Sequence, residues 1–525
     1  MSILLEQIHD SEPRPWALTA VYCIVLLAVI AAGCVCWTSR NRGIWTSSSR
    51  NASWIAGPKG KPFKGNLDDL KTNGAASCEA WYALFKRHGP AYEMTIPFFR
   101  MHIINHPTYL EHIQKTNKDN YIRGKFTRNA FGSLHRGGIF VADGISHQTQ
   151  RKAAVHAFSK RNFETHITAA VHYWLDILLR LLSNLAKDDH KFDFQEIMGR
   201  LMFCLFLRVA FHEDALGREI LSEDPRCLET KPAFVAAFDE ATLLFDRRRR
   251  DPIWWITEKL SGEDKVTSNA VSLFYEKIDF LIEKRLEAKR NGYKSDPSKG
   301  VDLLDLFMES TTDKYWLGGQ IYSFLSAGRD TTTYNTSWFM MEIFHKSNEH
   351  LDALNKIRTE VAEHGFTGFL NYTDAPRLRF TNAMWDECTR LNTVSPAGQL
   401  EAAEDDILPA VPELNMPPRH VKKGDVVSYQ NYVMARMPQI WGDDAAVFNP
   451  YRWLKENEYH AWNAGPRSCL GRSLATYEGI TIAVAILQRF DIILSDHERV
   501  YEPLAALNMG IKGGLPMKLR ERDHK

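Results

Sequence analysis

The chain has 525 residues, 44% of them hydrophobic and 11% aromatic, with a formal net charge of +1. That apolar content is enough for a sizeable core, and the lack of a basic excess excludes nucleic acid as the main partner, because phosphate binding needs concentrated positive charge. No low-complexity linker divides the chain, so one large helix-rich domain accounts for the length as well as two smaller ones.

Trp16 to Trp37 is uncharged and apolar, and as a helix it would span roughly 33 Å, enough for a bilayer core. Glu6, Asp10 and Glu12 precede it, while Arg40 and Arg42 follow. This charge order predicts a transmembrane helix rather than a cleaved signal peptide, with the body of the protein in the cytosol. Residues 1–15 are then a short lumenal N-terminus, 16–37 the transmembrane helix, 38–66 a basic Pro/Gly hinge and 67–525 the catalytic domain. The hinge segment Gly57 to Asn66 is no phosphate-binding loop, since no Ser or Thr follows its Gly60-Lys61 pair. The eight cysteines form no CxxC pair, which points to a reducing compartment without a disulfide framework.

Residues 77–89 read as a short helix, and 91–105 alternate as a small sheet. Residues 123–140, rich in Gly, Arg and Asn, read as a loop. Asp143 to Lys152 opens a helix on which His147 and Arg151, one turn apart, share a face. Long helical patterns follow over 163–217. Arg247 to Arg250 is the most basic run, read as a solvated or membrane-facing helix end; a further helix covers 270–290 and a polar loop 290–300.

Residues 316–345 read as one long helix carrying Ala327-Gly328-Arg329-Asp330-Thr331-Thr332. Glycine followed by an acid and two hydroxyl residues is poor helix material, and such a local conflict marks a functional site. Glycine lets a flat ligand approach the backbone, and a threonine hydroxyl can bond back to a carbonyl and open the ladder. Further on, Glu387 and Arg390 stand one helical turn apart between small and apolar residues, the pattern of a buried ion pair.

Near the C-terminus, Trp462-Asn463-Ala464-Gly465-Pro466-Arg467-Ser468-Cys469-Leu470-Gly471 presents one cysteine just ahead of a helix-periodic run. The helix N-terminus together with Arg467 and Arg472 favours a thiolate over a thiol. Cys469 could be a small packed hydrophobe, a nucleophile or a metal ligand. A zinc site needs further Cys or His at close spacing, and a hydrolase needs a base; this segment has neither. An axial thiolate to haem iron needs only one ligand from the protein, and it matches the segment best.

The loop resembles the cysteine-ligand loop of the cytochrome P450 monooxygenases, Phe-x-x-Gly-x-Arg-x-Cys-x-Gly, with Trp462 where Phe is usual. Three further segments resemble that family in the same order. His147-x-x-x-Arg151 stands where the family has Trp-x-x-x-Arg. Ala327 to Thr332 matches its oxygen-activation motif, and Glu387-x-x-Arg390 its ion pair, joined by an arginine assigned to Arg452, with Tyr451 where Glu is common. The resemblance implies a mainly α fold with a small β-rich region, the cytochrome P450 fold of haem-thiolate proteins, here of the microsomal type behind one N-terminal transmembrane helix. It also implies haem b (iron protoporphyrin IX), O2 as co-substrate and NADPH through a partner reductase. By the same resemblance Cys469 ligates the iron and Trp462 and Gly465 belong to its loop. Arg467, Arg151 and His147 reach the haem propionates, and Ala327 and Gly328 leave room for oxygen. Asp330 and Thr331 form the catalytic proton relay.

Asn120 to Gly124, Gly138 to Phe140 with Asp143-Gly144, Asp405 to Pro409 and Gly513 to Pro516 look like the fatty-acid and alkane hydroxylating groups of fungi and plants. Phe324, Ala327, Val394 and Leu507 are the pocket positions that this resemblance implies. The implied reaction is hydroxylation of an apolar substrate, a long-chain fatty acid or alkane. Leu391 to Pro396 departs from the common Leu-Arg-Leu-x-Pro form, so a terpenoid or polyketide oxidase is the alternative. A haem-thiolate isomerase or a ligand-binding haem protein is a further rival, one that needs no relay such as Asp330 and Thr331. No flavin or nicotinamide domain is attached. The implied partners are therefore a membrane-bound NADPH-cytochrome P450 reductase, with cytochrome b5 as an alternative donor, an apolar small molecule and the lipid bilayer. The helix bearing Arg151 and Lys152 is a candidate docking surface for an acidic donor. The implied location is the endoplasmic reticulum membrane, single-pass, with the catalytic domain cytosolic.

Overall fold

The computed structural model describes residues 57–61, 65–71, 75–96, 99–293, 300–366, 368–454, 462–496, 498–505 and 507–522. At its centre lies the helix Lys314–Phe344, started by Asp313, whose carboxylate accepts from the Tyr315 amide at 3.0 Å. Leu317, Ile321, Leu325, Trp338 and Phe339 are buried along it, and so are residues on its other faces. A helix buried all round belongs in the middle of a core. The helices packed on it include Phe194–Phe211, Glu263–Arg290, Gly124–His135, Arg379–Leu391 and the helix after the cysteine loop, Arg472–Arg489.

The β-region lies to one side of the helices. Five short strands form a sheet in the order Ala91–Ile96, Phe99–Ile104, Val426–Tyr429, Gly398–Ala402, Tyr121–Ile122, antiparallel except for the second and third. A three-stranded sheet joins Phe192–Asp193, Pro516–Glu521 and Phe490–Leu494. The mainly α architecture with a small β-region is as expected, and the helices around 77–89, 143–152, 270–290 and 316–345 all form.

Two expectations need correction. The segment 123–140 is not a loop over most of its length, because Gly124–His135 is a helix. Thr127, Ala130, Phe131 and Leu134 recur at helical spacing and are buried, and that packing outweighs the poor propensity of the intervening Gly and Asn.

The second correction concerns the membrane. No helix among the described residues is long and apolar enough to cross a bilayer. The segment 16–37 lies outside the described residues. The transmembrane helix, the bilayer as partner and the endoplasmic-reticulum location rested on that apolar stretch, on the charges flanking it and on the microsomal resemblance, and they are withdrawn together.

Candidate active site

A cavity opens between the central helix and the cysteine loop. Ala327, Gly328, Thr331 and Thr332 line it from the helix, and Cys469, Leu470 and Gly471 from the loop. The loop is shaped by its own backbone: the Cys469 amide donates to the Trp462 carbonyl at 2.8 Å and the Ser468 amide to the Gly465 carbonyl at 3.0 Å. Gly465 has φ +60°, and a Cβ there would stand 2.2 Å from the Gln114 carbonyl oxygen. Only glycine fits this position. Gln114 also braces the loop with its side chain, accepting from the Ala464 amide at 2.8 Å and donating to Asn463 at 3.1 Å. Sequence reasoning passed over Gln114, which lies about 350 residues away and carries no motif. Gly465 thus sets the shape of the loop rather than the wall of the cavity.

Burial pushes the free Cys469 thiol up, against the Gly471 and Arg472 amides and the charges of Arg151 and Arg472, which favour the thiolate. The expected thiolate is therefore not delivered by the protein alone. A coordinated metal ion deprotonates a thiol outright, which is the missing contribution at such a site.

One rim of the cavity is basic. Arg123, His147, Arg151 and Arg467 all line it. Arg151 donates to the Ser468 carbonyl at 2.8 Å and to its hydroxyl at 3.2 Å, tying its helix to the cysteine loop. Arg467 pairs with Asp143 at 2.7 Å. His147 is held neutral, its pKa lowered to about 4 by burial and then by Arg467, Arg151 and Arg123. Arg123 was not among the expected site residues, although it falls in a segment singled out for substrate type. Its Nε is buried without a hydrogen-bond partner among the described residues.

These residues fit a haem. The donor set is one cysteine, and no group of three or more metal-ligating side chains gathers among the described residues. On the facing helix a Cβ built on Gly328 would meet nothing within 4 Å, so the backbone there is open to a flat group. The cationic rim suits two propionates. Cys469 would be the axial ligand, with Arg123, His147, Arg151 and Arg467 as partners of the carboxylates and Trp462 beside the loop.

On the central helix Thr331 Oγ1 donates to the Ala327 carbonyl at 2.5 Å, the back-bonding expected to open the ladder. Asp330 is not on the cavity wall. It is 5% exposed and lies 3.0 Å from Arg329 Nη1, which also reaches Asp239 Oδ1 at 2.5 Å. Lys231 continues the chain, 2.8 Å from Asp239 and 3.0 Å from Glu196. Burial raises the Asp330 pKa, and the Arg329 charge opposes that rise. A line of charged groups thus leads from the partly exposed Lys231 and Glu196 to the residue next to Thr331.

The ion pair on the helix Arg379–Leu391 is fully buried. Arg390 Nη2 and Nε meet Glu387 Oε1 at 2.7 Å and Oε2 at 2.8 Å, both side chains being 0% exposed. Arg452 Nε joins Oε1 at 3.1 Å, and the Trp453 indole donates to Oε2 at 2.8 Å. The assignment of Arg452 from sequence agrees with this geometry. Of the expected pocket positions, Phe324 and Ala327 line the cavity, Leu507 lines an adjoining one, and Val394 lines neither.

A family model described as Cytochrome P450 matches residues 55–513. The chain is 31% identical over 464 residues to cytochrome P450 monooxygenase cyp1 of Mycosarcoma maydis, covering 84% of this chain and 70% of that protein. It is 30% identical over 470 residues to cytochrome P450 94B1 of Arabidopsis thaliana, covering 84% and 87%. Among solved structures, the crystal structure of the cytochrome P450DA heme domain superposes with a TM-score of 0.73 at 17% identity, covering 89% of this chain and 98% of that one.

Proposed function

This chain belongs to the cytochrome P450 family and is a haem-thiolate monooxygenase, and from that premise we propose that it hydroxylates a long apolar substrate, a fatty acid or an alkane. The observation that supports this reading most is the cavity wall beside Thr331, built from Ile139, Phe140, Phe158, Met202, Leu303 and Phe324. Such a wall recognises hydrocarbon by burial and offers few polar groups to orient anything else. The segments that resemble fungal and plant fatty-acid hydroxylases support the same substrate class.

When bound, haem b supplies oxygen activation and the oxidation of an unactivated C–H bond, with electrons from NADPH through a separate reductase. The rest falls to the chain. Cys469 would hold the iron, Gln114 and Arg151 brace its loop, and Glu387, Arg390 and Arg452 lock the core that carries the helix Arg379–Leu391. Arg123, His147, Arg151 and Arg467 orient the propionates. Thr331 releases its bond to Ala327 and presents its hydroxyl proton at the cavity wall. Asp330 replaces that proton from solvent, while Arg329, which stays protonated, holds the Asp330 carboxylate in place and links it to Asp239 and Lys231.

The test is turnover of the purified enzyme with NADPH, a cytochrome P450 reductase and a panel of fatty acids, alkanes, terpenoids and polyketides. Hydroxylated fatty acid or alkane is the expected product. Oxidation confined to terpenoids or polyketides would overturn the substrate assignment.

A further inference from the structure

The run Arg247 to Arg250, at the end of the helix Ala233–Arg250, is only in part the solvated patch that its composition suggests, since Arg247 is exposed but Arg248 is buried. Arg247 pairs with Glu263 at 2.7 Å. Arg248 is buried and forks onto Glu258, its Nε at 2.6 Å and Nη2 at 2.7 Å from the two oxygens. Arg250 pairs closely with Asp246 Oδ2. Arg249 has only the other oxygen of that same carboxylate, at 3.5 Å, the outer limit of a hydrogen bond. Two guanidinium groups thus lean on Asp246, and the weaker contact is that of Arg249. Its Nε is buried with no hydrogen-bond partner among the described residues.

Arg249 lines a second cavity of about 70 Å³. Phe131, Phe140 and Leu507 give this cavity an apolar wall, Thr127, Gln399 and Ser428 supply hydrogen-bonding groups, and no carboxylate lines it. Arg123 and Phe140 line both this cavity and the larger one that holds Cys469 and Thr331. Burial works against the charge on Arg249, and nearby Cys78 does not neutralise it, because burial pushes that thiol up to about 12. A desolvated cation that shares its carboxylate calls for an anion.

We propose that Arg249 binds the carboxylate of a long-chain fatty acid whose hydrocarbon tail passes Phe140 into the cavity of Cys469 and Thr331. This rests on the apolar-substrate reading above and narrows it from hydrocarbon in general to an anionic lipid. Gln399 is the neutral donor available to the second carboxylate oxygen, since the Ser428 hydroxyl already donates to the Gly398 carbonyl at 3.2 Å. Arg123, facing both cavities, stays with the haem side.

The test is titration of the purified holoenzyme with palmitic acid and with methyl palmitate, read as the substrate-induced shift of the haem spectrum, in the wild type, Arg249→Gln and Arg249→Lys. The quantity compared is the preference for acid over ester. A charge-assisted hydrogen bond makes that preference about 10- to 100-fold in the wild type. Arg249→Gln should reduce it to near unity, and Arg249→Lys should keep part of it. Equal binding of acid and ester by the wild type overturns the headgroup assignment, and that comparison needs no variant to fold. An undiminished preference in Arg249→Gln overturns it too. If the wild type neither binds nor hydroxylates either lipid, the apolar-lipid reading falls and takes the headgroup with it.

Discussion

Cys469 shows how far single residues can be read. The spacing around it points to a lone ligand, which is our proposal, while its protonation is contested: desolvation raises the thiol pKa and the Gly471 and Arg472 amides with Arg151 and Arg472 lower it. Thr331 is the opposite case. Its back-bond to Ala327 follows from residue type alone, and its place on the cavity wall supports the proposal that it hands over a proton. Thr331→Ala should lower product formed per NADPH about 10- to 100-fold while oxygen consumption continues and hydrogen peroxide accumulates. Product and peroxide yields measured against NADPH consumed check this, and unchanged coupling would remove the residue from the relay. Glu478, which also lines the cavity, is pushed up to about 8 by burial. Its folded-state pKa lies above its unfolded value, so its contribution is intact below about pH 4.5 and is lost as pH rises through 8. Glu478→Gln should therefore melt about 1–3 °C above the wild type at pH 8 and lose that advantage by pH 5. A melting-temperature difference that does not change with pH would contradict this.

At the scale of elements, the site is held by contacts that sequence revealed unevenly. Glu387 and Arg390 were legible because charges at helical spacing among apolar neighbours must be paired, whereas Arg452 was legible only through the family resemblance. Gln114 was not, since a lone glutamine carries no pattern and its partner loop lies at the other end of the chain. The helix Gly124–His135 was missed because its composition suits a loop and only the packing of Phe131 and Leu134 makes it helical. Arg390→Ala leaves Glu387 buried and unpaired, which should cost about 3–5 kcal/mol and appear as a lower urea midpoint and poor haem retention. Tyr451, where the family commonly has Glu, is 41% exposed and lies outside that cluster, touching Lys356 through its hydroxyl at 2.6 Å. Tyr451→Phe should then stay within about 0.5 kcal/mol of the wild type in the same denaturation. Gly465→Ala combines a left-handed φ with a clash on the Gln114 carbonyl, and should destabilise the loop by about 1–3 kcal/mol with loss of bound haem.

Across the whole molecule, the central helix, the cysteine loop and the basic rim of Arg123, His147, Arg151 and Arg467 converge on one cavity from segments spread over much of the chain. Their order was readable because each motif breaks a local rule for a chemical reason: glycine in a helix, a cysteine in a tight loop, a salt bridge among apolar residues. The membrane assignment had no such internal check. It rested on one apolar stretch, the charges flanking it and a resemblance, and nothing among the described residues carries it. The arginine run misled for the same reason, since net charge per residue does not reveal that Glu258, Glu263 and Asp246 wait nearby. The central claim is that Cys469 is the one protein ligand of the haem iron. The carbon monoxide difference spectrum of the reduced enzyme, wild type beside Cys469→His, tests it most directly. The wild type should show the long-wavelength band of a thiolate-ligated haem and the variant should bind haem without it; the band persisting in Cys469→His, or missing from the folded, haem-loaded wild type, would contradict the account.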